Sequence, residues 1–225
     1  MKKKIVLIIA LIVAVILLIL LWNTFKTLIT EDGRQEFKDV ITNIGIKGYL
    51  IIIGLTIAQV FVAILPGEPV ELLAGMCYGS IGGLITIYIG VFISNCIIFW
   101  LVRKVGKTSI YNFLSKEKVE KIEKSKFFNS KNIESILLIM FAIPGTPKDL
   151  LTYIGALLPI DAKKFIIIST LIRFPSIITS TVVGANLVIG NIWFGIIVYV
   201  LTFIISLIIL HYYSRKQEVK EIMDI

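Results

Sequence analysis

The chain has 225 residues, of which 57% are hydrophobic, and its mean hydropathy is +0.93, whereas soluble domains are about 45–50% apolar. This composition excludes an ordinary soluble domain, and the presence of only two cysteines, Cys77 and Cys96, excludes a disulfide framework. The net charge of +8 comes from basic residues beside hydrophobic segments, which indicates positive-inside topology and anionic-lipid contact rather than nucleic-acid binding.

The first segment, residues 1–47, is predicted to contain a membrane anchor and a surface connector. Three lysines precede the apolar run at residues 5–22, which is longer than the core of a signal peptide and lacks a small-residue cleavage site. The mixed charges of residues 23–47 suit a short amphipathic helix or a solvated connector, and we favour the solvated connector.

The membrane domain, residues 48–213, is predicted to hold two broken helical segments and further full spans. The first broken segment is at about 48–80 and the second at about 133–158. Each arm of the second is too short for a hydrocarbon layer of about 30 Å at about 1.5 Å per residue, which favours a re-entrant hairpin. The full spans, including the anchor, are predicted at 5–22, 81–102, 165–185 and 192–213.

Charge placement sets the predicted topology. The basic loop at 103–131, Lys163 with Lys164, and the tail at 214–225 are assigned to the cytoplasm. The resulting fold class is an all-α integral membrane protein of the plasma membrane, with about four full transmembrane helices, two opposed re-entrant hairpins forming an inverted repeat, and both termini cytoplasmic. Two full spans in place of the first hairpin would leave all later segments on the same sides of the membrane.

A sequence repeat underlies the two hairpins. Residues 65–73 return 78 positions later as residues 143–151, and both copies place Pro-Gly-x-Pro, an acid and two leucines in apolar sequence. Such interruptions are typical of helices broken inside the bilayer at a transport site. The predicted break residues are Pro66, Gly67, Pro69, Pro144, Gly145, Thr146 and Pro147.

The breaks have both a structural and a functional interpretation. Pro69 and Pro147 suit the first turn of half-helices, and Thr146 with Asp149 fits a capping box that has Glu71 in its acidic counterpart. The carboxylates would then only cap free backbone donors. Alternatively, two half-helix N-termini would present free N–H groups and partial positive charge to a phosphate.

Five charged residues are the predicted substrate-binding and coupling groups: Glu68, Glu71, Lys148, Asp149 and Arg173. Arg173 lies inside a predicted span just before Pro175, where a charge costs about 2.5–3.5 kcal/mol, so it belongs either to the site or to a structural pair with Glu68, Glu71 or Asp149. The two glutamates are candidates for proton coupling, because burial raises carboxyl pKa values. His211 is the only histidine, and we predict no enzyme, metal or cofactor.

Three motifs together resemble the DedA and SNARE-associated Golgi protein superfamily, also called VTT-domain proteins, over residues 48–205, and are nearest its Golgi-type bacterial branch. They are Pro66-Gly67-Glu68 with Leu73-Ala74-Gly75, then Phe99-x-x-x-Arg103-x-x-Gly106, and then Pro144-Gly145-x-Pro147-x-x-Leu150-x-x-Tyr153.

The resemblance implies two opposed re-entrant hairpins and movement of polyprenyl-phosphate or phospholipids across the bilayer. It also implies roles for an acid of the first hairpin, here Glu68 or Glu71, and for arginines of the second. The arginine that commonly stands three residues before the hairpin proline is Phe141 in this chain. Lys148 and Arg173 are the candidate replacements.

The leading functional hypothesis is a lipid transporter or scramblase whose hairpin tips meet at the midplane and pass an anionic phosphate headgroup, with proton coupling as an option. A proton- or cation-coupled carrier of a small solute shares the inverted repeat and the buried acids. A non-transporting scaffold for membrane-protein assembly is the third hypothesis. A homo-oligomer is compatible with all three.

Overall fold

The structure is a computed structural model that describes residues 30–63, 65–105, 137, 141, 148–158 and 160–214. Over these residues the regular elements are all helices. The predicted anchor, most of the basic loop, most of the first arm of the second hairpin and the C-terminal tail lie outside the described residues. The described helices are α1 (Glu31–Asn43), α2 (Ile46–Val62), α3 (Glu68–Val105), α4 (Lys148–Leu157), α5 (Ala162–Leu171), α6 (Phe174–Val188) and α7 (Ile192–Ser214).

Helix α1 occupies the predicted connector. The Thr30 hydroxyl caps its N-terminus by accepting a hydrogen bond from the Gly33 amide at 3.2 Å, and Glu31 and Asp32 in the first turn complement the helix dipole. Arg34 is buried, with 5% of its surface exposed. The described part of the connector is therefore a capped helix that is mostly exposed to solvent and has one buried cation.

The first predicted break is a non-helical stretch between α2 and α3. Helix α2 ends at Val62 and is capped by Ala63, whose φ of 55° is left-handed. The Gln59 side-chain amide donates a hydrogen bond to the Leu65 carbonyl at 2.8 Å across the break. The carbonyl of Gly67 then accepts from the Glu71 amide at 3.1 Å, which begins the next helix. Pro66 lies in this break, and Pro69 is the second residue of α3.

Helix α3 contains a sharp turn at Gly79. Its φ of 72° and ψ of 179° are not helical, and this region of backbone favours glycine. A Cβ atom at Gly83 would lie 2.8 Å from the backbone of Ala74, which is possible only where the chain folds back on itself. The segment from Glu68 to Gly79 is thus a short half-helix, and a long apolar helix follows it.

The half-helices of the two repeats end at equivalent positions. Shifting Gly79 by the 78-residue offset gives Leu157, the last residue of α4. A long apolar stretch follows each of them, to Lys104 in the first repeat and over Ala162–Val188 in the second. The internal repeat is therefore visible in the extents of the helices as well as in the sequence.

Two helical stretches of the described residues are long and apolar enough to cross a membrane, Glu68–Lys104 and Ala162–Val188. The pair α1 and α2, which is bent by 110°, would make a third if it is a single broken span. The all-helical membrane architecture agrees with the prediction. The four full spans and the re-entrant placement of the hairpins stay predictions.

The chain divides into two compact units. The first comprises Met1–Ser94 and Ser176–Leu201, and the second comprises Asn95–Pro175 and Thr202–Ile225. In the first unit, a Cβ atom at Gly75 would collide with the backbone carbonyl of Thr181, and one at Gly184 would collide with that of Leu72. Small residues at a helix crossing let backbones approach closely, so these two glycines set the spacing between α3 and α6.

We expect Gly184→Ala to destabilise the protein by about 1–3 kcal/mol, because the added methyl group meets backbone that cannot rotate away. Gly54→Ala is the matched control, because Gly54 is an exposed helical glycine with open space around the Cβ position. Thermal unfolding in detergent, followed by circular dichroism, compares the two. Equal midpoints for Gly184→Ala and the wild type would contradict the close crossing.

Candidate functional site

Arg173 is a buried cation at the junction of two helices in the second unit. It lies in the turn between α5 and α6, where Pro175 occupies the first turn of α6 and has no amide hydrogen to donate. Only 5% of its surface is exposed. Burying a guanidinium is costly unless its donors are satisfied, so its partners define the site.

The Arg173 guanidinium binds the first turn of α4. Its Nη1 donates to the Asp149 carboxylate at 2.8 Å, and its Nη2 donates to the Thr152 hydroxyl at 2.8 Å and to the Lys148 carbonyl at 3.1 Å. Its Nε donates to the Ser169 carbonyl at 2.9 Å. The predicted residues Lys148, Asp149 and Arg173 are therefore in contact, and Asp149 is the acid that pairs with the arginine.

Neutral polar side chains extend this network. The Thr152 hydroxyl lies 3.1 Å from the Lys148 carbonyl and 3.4 Å from the Asn95 amide oxygen, and the Asn95 amide donates to the Thr170 hydroxyl at 3.0 Å. All of these side chains are buried. The result is a continuous polar path inside an apolar unit.

Thr152, Asn95 and Thr170 were not among the predicted site residues. Thr152 stands three residues after Asp149, so both project from one face of α4, and this spacing could have identified it. Adding the 78-residue offset of the repeat to position 95 gives position 173. The repeat therefore pairs Asn95 with Arg173 and could have identified Asn95 as a site residue.

Phe141 occupies the position of the hairpin arginine that the family resemblance led us to expect. Its ring is fully buried, and the Arg173 guanidinium carbon lies 5.4 Å from the ring centre, within cation–π range. A cation therefore lies beside Phe141, but it is Arg173, from the turn between α5 and α6.

The two glutamates belong to the first unit. Glu68 is the first residue of α3, and Glu71 lies in its first turn. A Cβ atom at Gly67 would lie 3.4 Å from the Gln59 side-chain oxygen and 3.5 Å from a Glu71 carboxylate oxygen. Both polar side chains therefore approach Gly67 in the break.

The remaining predicted break residues, Pro144, Gly145, Thr146 and Pro147, lie outside the described residues, and so does the proposed cap between Thr146 and Asp149. Within the described ranges, no group of three or more His, Cys, Asp or Glu residues could hold a metal ion. Cys77 and Cys96 are free thiols.

A family model of the VTT domain matches residues 65–186, which is more than half of the chain. The chain belongs to the VTT-domain family. This is the domain of the DedA and SNARE-associated Golgi protein family, whose members are membrane proteins generally thought to be transporters or flippases and are not known as enzymes. Searches of curated proteins and of solved structures found no match.

In this VTT-domain protein, we expect the contributions of Arg173 and Asp149 to the free energy of unfolding to depend on each other. Arg173→Met alone should destabilise the protein by about 3–5 kcal/mol, because it leaves Asp149 as a buried charge without its cation. The double variant Arg173→Met/Asp149→Leu should recover most of this loss. Unfolding in mixed micelles with increasing SDS measures the free energies of the wild type, of both single variants, Arg173→Met and Asp149→Leu, and of the double variant, and additive losses would contradict the pairing.

Proposed function

We propose that this VTT-domain protein is a transporter or scramblase of membrane lipids with an anionic phosphate headgroup, of the polyprenyl-phosphate or phospholipid kind. The protein would work in the plasma membrane with both termini in the cytoplasm. The observation that carries this proposal is the buried contact between Arg173 and the first turn of α4. The guanidinium, a group that can bind a phosphate through two parallel hydrogen bonds, lies beside the first turn of a half-helix, which supports this proposal.

The geometry supports an exchange mechanism. Arg173 reaches Asp149 through one nitrogen and one carboxylate oxygen, at 2.8 Å, whereas a guanidinium can bind a phosphate through two parallel hydrogen bonds. A headgroup phosphate would therefore replace Asp149 on the arginine. Asp149 would reclaim Arg173 once the headgroup has moved on, so the cation would not remain buried without a partner.

Glu71 is the proposed coupling acid. It lies in the first turn after the break, and its carboxylate approaches Gly67, in a segment that both repeats share. Headgroup movement would be coupled to the uptake and release of a proton by Glu71, which a glutamine at this position cannot perform. The acyl tails would stay in the surrounding lipid throughout.

Dithionite quenching of fluorescent phosphatidylglycerol in proteoliposomes tests this proposal. We expect the wild type to expose inner-leaflet lipid to the quencher. Arg173→Ala should lower the rate about tenfold or more, because the headgroup loses its cation, and Glu71→Gln should also abolish translocation. Fluorescent polyprenyl-phosphate is measured in parallel to separate the two lipid classes.

Lys104→Gln is the matched control, because Lys104 is an exposed cation at the end of α3. It should translocate lipid at the wild-type rate. Wild-type rates in Arg173→Ala, with inserted and monodisperse protein, would overturn the assignment of the site. Efflux of a trapped solute without lipid movement would instead support a solute carrier.

A further inference from the structure

Arg103 makes contacts in the second unit that the proposed mechanism does not use. Its Nε donates to the Ala156 carbonyl at 2.9 Å, and its Nη2 donates to the carbonyls of Leu158 and Ile160, each at 2.8 Å. One side chain at the end of α3 thereby binds three carbonyls at and after the C-terminus of α4.

The three carbonyls lie at and just beyond the end of α4. Ala156 is among the last four residues of the helix, whose carbonyls have no donor within the helix, and Leu158 and Ile160 follow the helix. The C-terminal end of a helix also carries partial negative charge, which a guanidinium complements. Arg103 therefore supplies both donors and positive charge to the end of α4.

Arg103 is partly exposed to solvent, and one side of its guanidinium lies against an aromatic ring. The guanidinium carbon lies 4.8 Å from the centre of the Phe99 ring, and that ring is 5.2 Å from the Phe165 ring. A Cβ atom at Gly155 would collide with Phe165, so α4 packs directly on this ring. Arg103, Phe99 and Phe165 together form what we call the α4 clamp.

The clamp lies at the opposite end of α4 from the site. Helix α4 has only ten residues and is about 15 Å long, with Arg173 bound to its first turn and Arg103 bound to its last. A short helix held at both ends moves as a rigid body, so a loss of the clamp would also shift Asp149 and Thr152.

We propose that Arg103 is a positioning residue for the phosphate site, which it serves by holding α4 against Arg173 from the far end. This inference rests on the proposed function, but it makes a separate claim about the mobility of α4. Arg103 itself contacts only backbone and aromatic side chains in this role, and it acts on the headgroup through α4.

Hydrogen–deuterium exchange of the full-length protein tests the positioning directly. We expect Arg103→Gln to speed the exchange of amides within residues 148–158, with peptides from α2 unchanged. Lys104→Gln removes the same charge one residue away and should leave this exchange as in the wild type. Unchanged exchange in Arg103→Gln would overturn the clamp whether or not the protein translocates lipid.

Translocation of fluorescent phosphatidylglycerol, normalised to folded protein, separates positioning from general stability. We expect Arg103→Gln to be about ten- to a hundredfold slower and Arg103→Lys, which keeps a donor and a charge, to be intermediate. The double variant Arg103→Gln/Asp149→Asn should be no slower than the slower single variant, because both act on one network. Two results would overturn the inference while leaving the proposed function intact. One is a double variant whose rate is lowered by the product of the two single effects, and the other is an Arg103→Gln variant as fast as an active wild type.

Discussion

The buried guanidinium of Arg173 is the constraint on which the second unit depends. A cation with 5% of its surface exposed, in a chain this apolar, must be surrounded by acceptors, and the fold supplies a carboxylate, a hydroxyl and two carbonyls. Three of these four acceptors come from the first turn and a half of α4. The requirement that the donors of Arg173 all find acceptors therefore determines where α4 begins relative to the turn between α5 and α6.

The two repeats use one local design with different side chains. In each, a short half-helix follows a Pro-Gly-x-Pro sequence and precedes a long apolar stretch, and its acid stands in the first turn. The first repeat places Gln59 across its break, whereas the second binds its half-helix with Arg173. Because the charged groups differ, the described parts of the two repeats share a half-helix and an apolar stretch but not their chemistry, as expected if one binds an anion and the other exchanges a proton.

The structural features that the sequence predicted depend on residues that lie close together along the chain. The break before α3 follows from proline and glycine, whose conformational limits act within a few residues, and the apolar stretches follow from composition. The sequence offers three acids as partners of Arg173, namely Glu68, Glu71 and Asp149. It does not distinguish among them, because the pairing depends on tertiary packing. Arg103 was noted only as part of a motif, since its acceptors lie 53–57 residues away and are backbone carbonyls, which carry no signal in a sequence.

Native mass spectrometry of lipid retained by the purified protein tests the central claim, that a headgroup phosphate and the Asp149 carboxylate compete for Arg173. We expect Asp149→Asn, which removes the competing charge, to retain more phosphatidylglycerol than the wild type, and Asp149→Asn/Arg173→Gln to lose this gain. Phosphatidylcholine, which has a phosphate but no net charge, serves as the comparison lipid. Equal retention of phosphatidylglycerol by the wild type and Asp149→Asn would contradict the exchange.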